Sequence, residues 1–578
     1  MQSENKTCQN CQKSFTIESE DFNFYEKIKV PPPTFCPDCR LVRRLNWRNE
    51  RNLFKRACDK TGKPVITMFH PEAEVRVYEH DVWWSDEWDP CEYGQNYDFS
   101  KPFFEQFQEL LLRVPLTNLG NTNCPGSPYG NHNVDCENCY LTFASYMNQN
   151  IYYSQGAANS RDCFDSYTIQ KCEQCYEDTL CKTLYQTHFS YNSDDSVDSY
   201  FLQNCINCQD CIGCVNLRHK RFCIFNKQLA EEEFKKQKKE FNFGSYEKLS
   251  DFKNKYRDFA LKFPQKYSNI IKSVDVSGDN IMNAKNVKYS FDIYGDMENC
   301  KFVAHGLGAK DSYDCYGFGG GASLLYEGVD TGLKAFNQYF SVLTHSCLDT
   351  AYTYMCYNSK NLFGCIGLRK KEYCILNRQY AKAEYETMLP KIIEHMNKMP
   401  FTDKKGIVYR YGEFFPAELS PFSYNESIAN EYFPKNAEEI KKDYFFREGI
   451  EREYKTTLDF SNMPEDITDV KDDIVNEIAP CRNKDLDLFY CTQAFRILKE
   501  ELNFLRKQNI ALPRLCPNCR HYERLERRNQ MKLWRRSCMC DKANHNHSGR
   551  CQSEFETPYS PDRPEIIYCE KCYQQEVY

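Results

Sequence analysis

The sequence predicts a multidomain α+β protein. Cysteine-built ribbon or treble-clef knuckles at both termini flank a central β-rich repeat region that reads as a parallel β-solenoid. Three observations predict this. The first is a duplicated module: C-P-D-C-R-L-V-R-R-L-N-W-R-N-E-R-N-L-F-K-R-A-C at 36–58 aligns without a gap on C-P-N-C-R-H-Y-E-R-L-E-R-R-N-Q-M-K-L-W-R-R-S-C at 516–538, at an offset of 480. The second is a longer internal repeat, G-C-V-N-L-R-H-K-R-F-C-I-F-N-K-Q at 213–228 against G-C-I-G-L-R-K-K-E-Y-C-I-L-N-R-Q at 364–379, at an offset of 151. The third is the run of short β-prone steps ahead of each repeat, interrupted by Asn, Asp, Ser and Gly.

Composition bounds what such a chain does. With 578 residues there is room for several cores. Mean hydropathy is −0.72, no apolar run is long enough to span a bilayer, and residues 1–6 are polar rather than an apolar signal core. A cytoplasmic location is the default expectation. The 33 cysteines are then metal ligands or small buried hydrophobes rather than disulfides. Each copy of the terminal module carries a balance of +5, so the remainder of a chain of net charge −7 carries −17. The ends suit an anion and the middle does not.

Residues 1–58 hold Cys8-x2-Cys11, a gap of 24 residues, Cys36-x2-Cys39 and a basic helix. Two C-x2-C pairs place four thiolates around one tetrahedral ion, the pattern of a zinc knuckle. Residues 59–119 open with a second knuckle, in which Pro71, Val77 and Tyr78 align with Pro561, Ile567 and Tyr568 at an offset of 490. There Thr61, Glu79 and Val82 stand where Cys551, Cys569 and Cys572 stand, so this copy is expected to keep its fold without zinc. A site rebuilt from Cys58, His70 and His80 is the alternative. A helix is expected over 103–114, ended by Pro115.

Residues 120–270 and 271–400 are the two solenoid copies, each closed by a charged helix, expected over 230–241 and 381–398. Recurrent steps such as Cys139-Tyr140, Tyr152-Tyr153, Cys163-Phe164 and Cys175-Tyr176 suggest inward ladders of Cys, Tyr and Asn; two irregular sheets are the alternative. Cys205-x2-Cys208-x2-Cys211-x2-Cys214 has the spacing of an iron–sulfur site. The second copy keeps Cys356 and Cys365 but has Ser359 and Leu362 between them, so buried thiols account for it better. Residues 401–480 read as an extended connector with Pro416 and Pro421 as breakers, followed by an acidic linker through Glu465, Asp466, Asp469, Asp472 and Asp473.

Residues 481–578 return to the knuckles. Cys491, Cys516 and Cys519 match Cys11, Cys36 and Cys39, but Leu488 stands for Cys8. Cys481 could loop in as the fourth ligand; otherwise the site has three thiols or no metal. The last site uses Cys551, Cys569 and Cys572, completed by Cys538 or Cys540. About three zinc ions follow. The His545-Asn546-His547 stretch lies in an insertion of about ten residues and reads as a solvated loop, with ligation or catalysis of the HNH-nuclease kind the alternative.

Arg40, Arg44, Arg48 and Arg51, and Arg520, Arg524, Arg527, Arg528 and Arg535, form helical stripes. Such stripes suit phosphate, with Trp47, Phe54 and Trp534 to stack on unpaired bases. They suit equally the acidic middle of the same chain. No P-loop, G-x-S-x-G or H-E-x-x-H is present, and the glycines at 317–321 read as a turn.

The motifs at 36–51, 83–90 (W-W-S-D-E-W-D-P), 414–426 (F-F-P-A-E-L-S-P-F-S-Y-N-E) and 563–573 (R-P-E-I-I-Y-C-E-K-C-Y), with the two L-R-x-K-x-[FY]-C-I-x-N steps, together resemble an uncharacterised cysteine-rich zinc-ribbon family of candidate-phyla bacteria. The resemblance covers nearly the whole chain. It implies a cytoplasmic, zinc-binding protein and brings no activity. That family usually has cysteines at the positions of Thr61, Glu79 and Val82. The leading expectation is a non-enzymatic scaffold bound to RNA or the ribosome. A protein-interaction scaffold, using the solenoid face and purely structural zinc, is the second. A thiol redox or metal-handling enzyme is the third.

Overall fold

The computed structural model describes residues 2–450, 454–486 and 488–578. Its centre is a β-solenoid in two stacks. Parallel bridges join residues 12 apart without interruption, as in Gln155↔Tyr167, Thr179↔Tyr191 and Ile206↔Arg218. Every third residue has a left-handed φ, as at Asp162, Asp165, Thr168, Lys171, Gln174 and Glu177. A turn is therefore a square of four three-residue sides, and Asn and Asp recur at the corners because their short polar side chains tolerate φ > 0.

This geometry dictates the lining. One residue of each triplet points into a bore too narrow for large side chains. Cys163, Ser166, Ile169, Cys172 and Cys175 are all fully or almost fully buried there. The N–H of the inward residue is satisfied by a side chain one turn earlier. Cys205, Cys208 and Cys211 donate their amides to Ser193, Ser196 and Ser199 Oγ at 3.2, 3.1 and 3.0 Å. Small residues with a hydroxyl or thiol both fit the bore and complete its hydrogen bonding.

The solenoid reading is thus the fold, with one correction to the expected ladders. Cysteine lines the bore, but asparagine stacks at the corners, as in Asn204 Nδ2 to Asn216 Oδ1 at 2.9 Å. Tyrosine and phenylalanine stack on outer faces, as in Tyr152 on Phe164 at 4.6 Å. The second stack is looser: some rungs are 13 residues apart, for example Phe291↔Ala304 and Tyr316↔Val329. Each stack ends in an antiparallel hairpin, Arg221–Ile224 with Lys227–Gln228 and Glu372–Ile375 with Arg378–Gln379. The charged helices Glu231–Lys238 and Lys382–Lys398 follow.

The stacks lie side by side and run in opposite directions. His132 of the first faces Asp330 of the second at 3.6 Å, whereas Asn192 accepts from Asn269 at 3.0 Å. Amphipathic helices cover each stack near its end with their apolar faces. Phe252, from helix Tyr246–Ala260, packs on Phe201 and Phe225. Phe103, from helix Phe103–Arg113, packs on Tyr352 and Phe363. Gly213 and Gly364, at φ +67° and +66°, let these rings approach; a Cβ at Gly364 would lie 2.8 Å from Phe103.

The expected extended connector is corrected. Phe414, Phe415, Phe422, Tyr424 and Ile428 are fully or almost fully buried, wedged between the N-terminal module and the solenoid. Phe415 stacks near Trp47 and Phe107 at 4.9 and 4.8 Å. The prolines break helices without exposing the chain. The acidic segment after it caps a helix: Glu465 Oε1 accepts from Ser245 Oγ at 2.9 Å and from the Glu247 amide at 2.6 Å.

Candidate metal centres and the arginine helices

Three groups of four thiols have Sγ atoms that all lie within 4.8 Å of one another: Cys8, Cys11, Cys36 and Cys39; Cys481, Cys491, Cys516 and Cys519; and Cys538, Cys551, Cys569 and Cys572. In the first, the turn joining Glu4–Thr7 to Ser14–Ile17 supplies Cys8 and Cys11. Gln12, at φ +59°, closes that turn with its amide on Cys8 O at 3.1 Å. Cys36 caps helix Pro37–Leu45 and Cys39 lies in its first turn, where the helix dipole favours anionic sulfur. The Cys39 thiol bonded to Cys36 pulls Cys36 down to about 5.

The second group settles the missing ligand: Cys481, not Leu488, completes it. A two-residue pairing of Ala479–Pro480 with Ala494–Phe495 closes the wider loop between Cys481 and Cys491. Amides point at the sulfurs, from Cys516 to Cys481 Sγ at 3.2 Å and from Gln493 to Cys491 Sγ at 3.3 Å. In the third group Cys569 caps helix Glu570–Val577 and its amide reaches Cys538 Sγ at 3.2 Å. Sets of four buried or half-buried thiols with amide donors to sulfur fit a tetrahedral ion held as thiolate, with all four positions taken by the protein.

The predicted degenerate copy keeps its shape. Hairpin Phe54–Ala57 with Pro64–Thr67 matches Trp534–Ser537 with Glu554–Thr557. The Glu79 amide still points at Cys58 Sγ at 3.3 Å, as Cys569 does at Cys538. Among the described residues no metal-ligand group forms there. Aromatic packing takes its place, with Trp83 fully buried and Trp88 against Tyr78 at 5.6 Å. The rebuilt site does not form: His80 Nε2 lies 3.0 Å from Asn121 O, and His70 Nδ1 accepts from the Glu72 amide.

Cys205, Cys208, Cys211 and Cys214 are successive bore positions, so their spacing is the triplet period of the solenoid rather than a cluster motif. Burial pushes the Cys172, Cys175 and Cys181 thiols well above their usual value, which makes them poor nucleophiles. The histidine stretch is the expected loop, and most of it is exposed, but its two rings are not turned to solvent. His545 is buried, and both rings turn toward Cys540.

The arginine stripes turn inward. Arg40 Nε and Arg44 Nη1 donate to the same oxygen of Asp314 at 2.9 and 3.0 Å. Arg43 bridges Glu327 and Glu413 at 2.7 and 2.8 Å, and Arg48 bonds Glu50 and Asp330. At the other end Arg520 bonds Asp165 and Glu501, and Arg524 bonds Asp165 at 3.0 Å. Arg528 donates to Tyr167 Oη at 2.7 Å. Arg51 lies over Phe143 and Arg527 over Tyr191. The assignment of Arg40, Arg44, Arg48, Arg520 and Arg524 to nucleic acid is therefore corrected: all five are buried and charge-paired within the chain. Arg535 stays exposed, beside Glu554 at 2.5 Å.

These contacts are reciprocal. The N-terminal helix clasps Asp314 of the second stack, and the C-terminal helix clasps Asp165 of the first. Arg48 lies over Tyr316 as Arg528 lies over Tyr167. Tyr432 joins the halves, its hydroxyl 3.3 Å from Tyr167 Oη and 3.1 Å from Tyr316 Oη. The acidic partners were not legible in sequence, because every corner of the solenoid is rich in Asn and Asp and nothing local marks Asp165 or Asp314. No protein family and no curated protein matches the chain. Among the described residues no helix is long and apolar enough to cross a membrane.

Proposed function

We propose that the protein is a non-enzymatic, zinc-stapled scaffold that presents the outer faces of its paired solenoid to protein partners. The observation that carries this reading is the inward use of its reactive chemistry. Each four-thiol group is closed, the bore thiols are buried, and Arg40, Arg43, Arg44, Arg48, Arg520 and Arg524 are paired with carboxylates of the same chain. What remains for a partner is the broad polar ladder surface of the two stacks. Zinc is the ion that four buried thiols suit best, and the reading agrees with the resemblance to the cysteine-rich zinc-ribbon family and with a cytoplasmic setting.

Affinity capture from lysate with and without RNase tests it. Protein partners that persist after nuclease, and that are lost on charge reversal of the exposed Arg161 and Lys171, support the scaffold. The RNA or ribosome reading predicts instead crosslinked RNA, with steep salt dependence and loss on substitution of Arg535, since the buried arginines are not free for phosphate.

A further inference from the structure

The C-terminal module gathers more donors than one ion needs. Beside the group of Cys538, Cys551, Cys569 and Cys572 lies a second group, Cys540, His545, His547 and Cys572, whose ligand atoms also lie within 4.8 Å of one another. Cys572 belongs to both. His545 Nδ1 lies 3.1 Å from Cys540 Sγ, and His547 Nε2 lies 3.3 Å from the same sulfur. The opposite nitrogens face acceptors. His547 Nδ1 is 2.7 Å from Gly549 O, and His545 Nε2 is 3.3 Å from Glu576 Oε2. The Gly549 carbonyl fixes the tautomer of His547 and leaves its Nε2 with a lone pair aimed at Cys540 Sγ, as in metal-bound histidines; His545 Nε2 has only the charge of Glu576 beside it and no hydrogen bond.

We propose that the C-terminal module holds two zinc ions joined by the Cys572 thiolate. The first is completed by Cys538, Cys551 and Cys569, and the second by Cys540, His545 and His547. Two imidazoles and two thiolates form an ordinary tetrahedral donor set for zinc. Five thiolates against two divalent ions leave the pair with a net charge of about −1, and each thiol releases its proton to solvent on binding. The residues have a sequence logic. The ten-residue insertion between Cys538 and Cys551 has no counterpart in the N-terminal copy, where Trp88 lies against Tyr78 as His545 lies near Tyr568. Metal in one copy and aromatic packing in the other close the same fold.

The full chain, purified with zinc and measured by mass spectrometry, should contain four ions. Cys540→Ala and His547→Ala should each contain three, with the other sites retained. Cadmium-113 replacement gives a second readout that needs no variant. A bridging thiolate couples two cadmium resonances to each other, while the sites at Cys8 and Cys481 give uncoupled signals. Three ions in the unmodified chain, unchanged by Cys540→Ala, would overturn the proposal, as would four cadmium signals without mutual coupling. A chain with no ion at any site would overturn the zinc reading as a whole.

Discussion

Asp314 and Asp165 each receive two guanidiniums in a site from which water is excluded, and neither stack could bury such a carboxylate alone. Removing one partner strands the rest. Asp314→Asn should cost about 3–5 kcal/mol, measured by chemical denaturation, whereas neutralising the exposed Arg535 should cost under about 1 kcal/mol. Glu431 makes a different prediction. Burial pushes its carboxyl up to about 7, against the pull of Arg51, and His521 Nε2 lies 3.4 Å away. The folded state holds this proton more tightly than the unfolded chain, whose carboxyl titrates near 4.5. Its contribution is therefore full below about 4.5 and is lost as pH rises through about 7. Stability measured across that window should fall less steeply in Glu431→Gln.

At the scale of the element, the triplet rung explains why so many cysteines are neither paired nor catalytic. Cys208 is a bore residue whose Sγ lies 3.6 Å from Ile206 O and 3.7 Å from Leu217 O. Serine repeats both its size and its bonding, so Cys208→Ser should change stability by less than about 1.5 kcal/mol. Cys208→Phe has no space to enter and should cost at least ~3 kcal/mol or abolish folding. Thermal melting of the two variants separates a lining role from a metal site, in which both would fail alike. The rungs were partly legible. The β-prone steps and the repeat of 151 residues showed a solenoid, but the period of three was obscured by aromatic pairs, which recur at turns and follow the covering helices.

For the whole molecule, the crossed clasp is the organising contact. Cys36 and Cys39 anchor the helix that holds the second stack, and Cys516 and Cys519 anchor the helix that holds the first. Loss of one ion should therefore loosen the distant stack. In Cys36→Ser, amide exchange should accelerate at 309–329 around Asp314 and Glu327, with the strands near Asp165 little changed; the reverse is expected of Cys516→Ser. Equal acceleration in both stacks, or none, would contradict the clasp. Chelation of all ions should release both helices and lower the melting temperature sharply, because the arginines and their carboxylates would then be left buried without fixed geometry.

The sequence by itself determined the parts. Local spacing showed the C-x2-C knuckles, the degenerate copy at Thr61, Glu79 and Val82, the repeated solenoid and its closing helices. These follow from rules that act within a few tens of residues: ligand spacing, strand and turn chemistry, and helical periodicity. Tertiary structure decided what those parts face. It selected Cys481 over Leu488, folded His545 and His547 onto Cys540, buried the segment around Phe414 and Phe415, and turned the arginine stripes onto Asp165 and Asp314. Each of those outcomes joins residues tens to hundreds of positions apart. The charge of an arginine is visible in its sequence, whereas the carboxylate that neutralises it is chosen by the path of the chain.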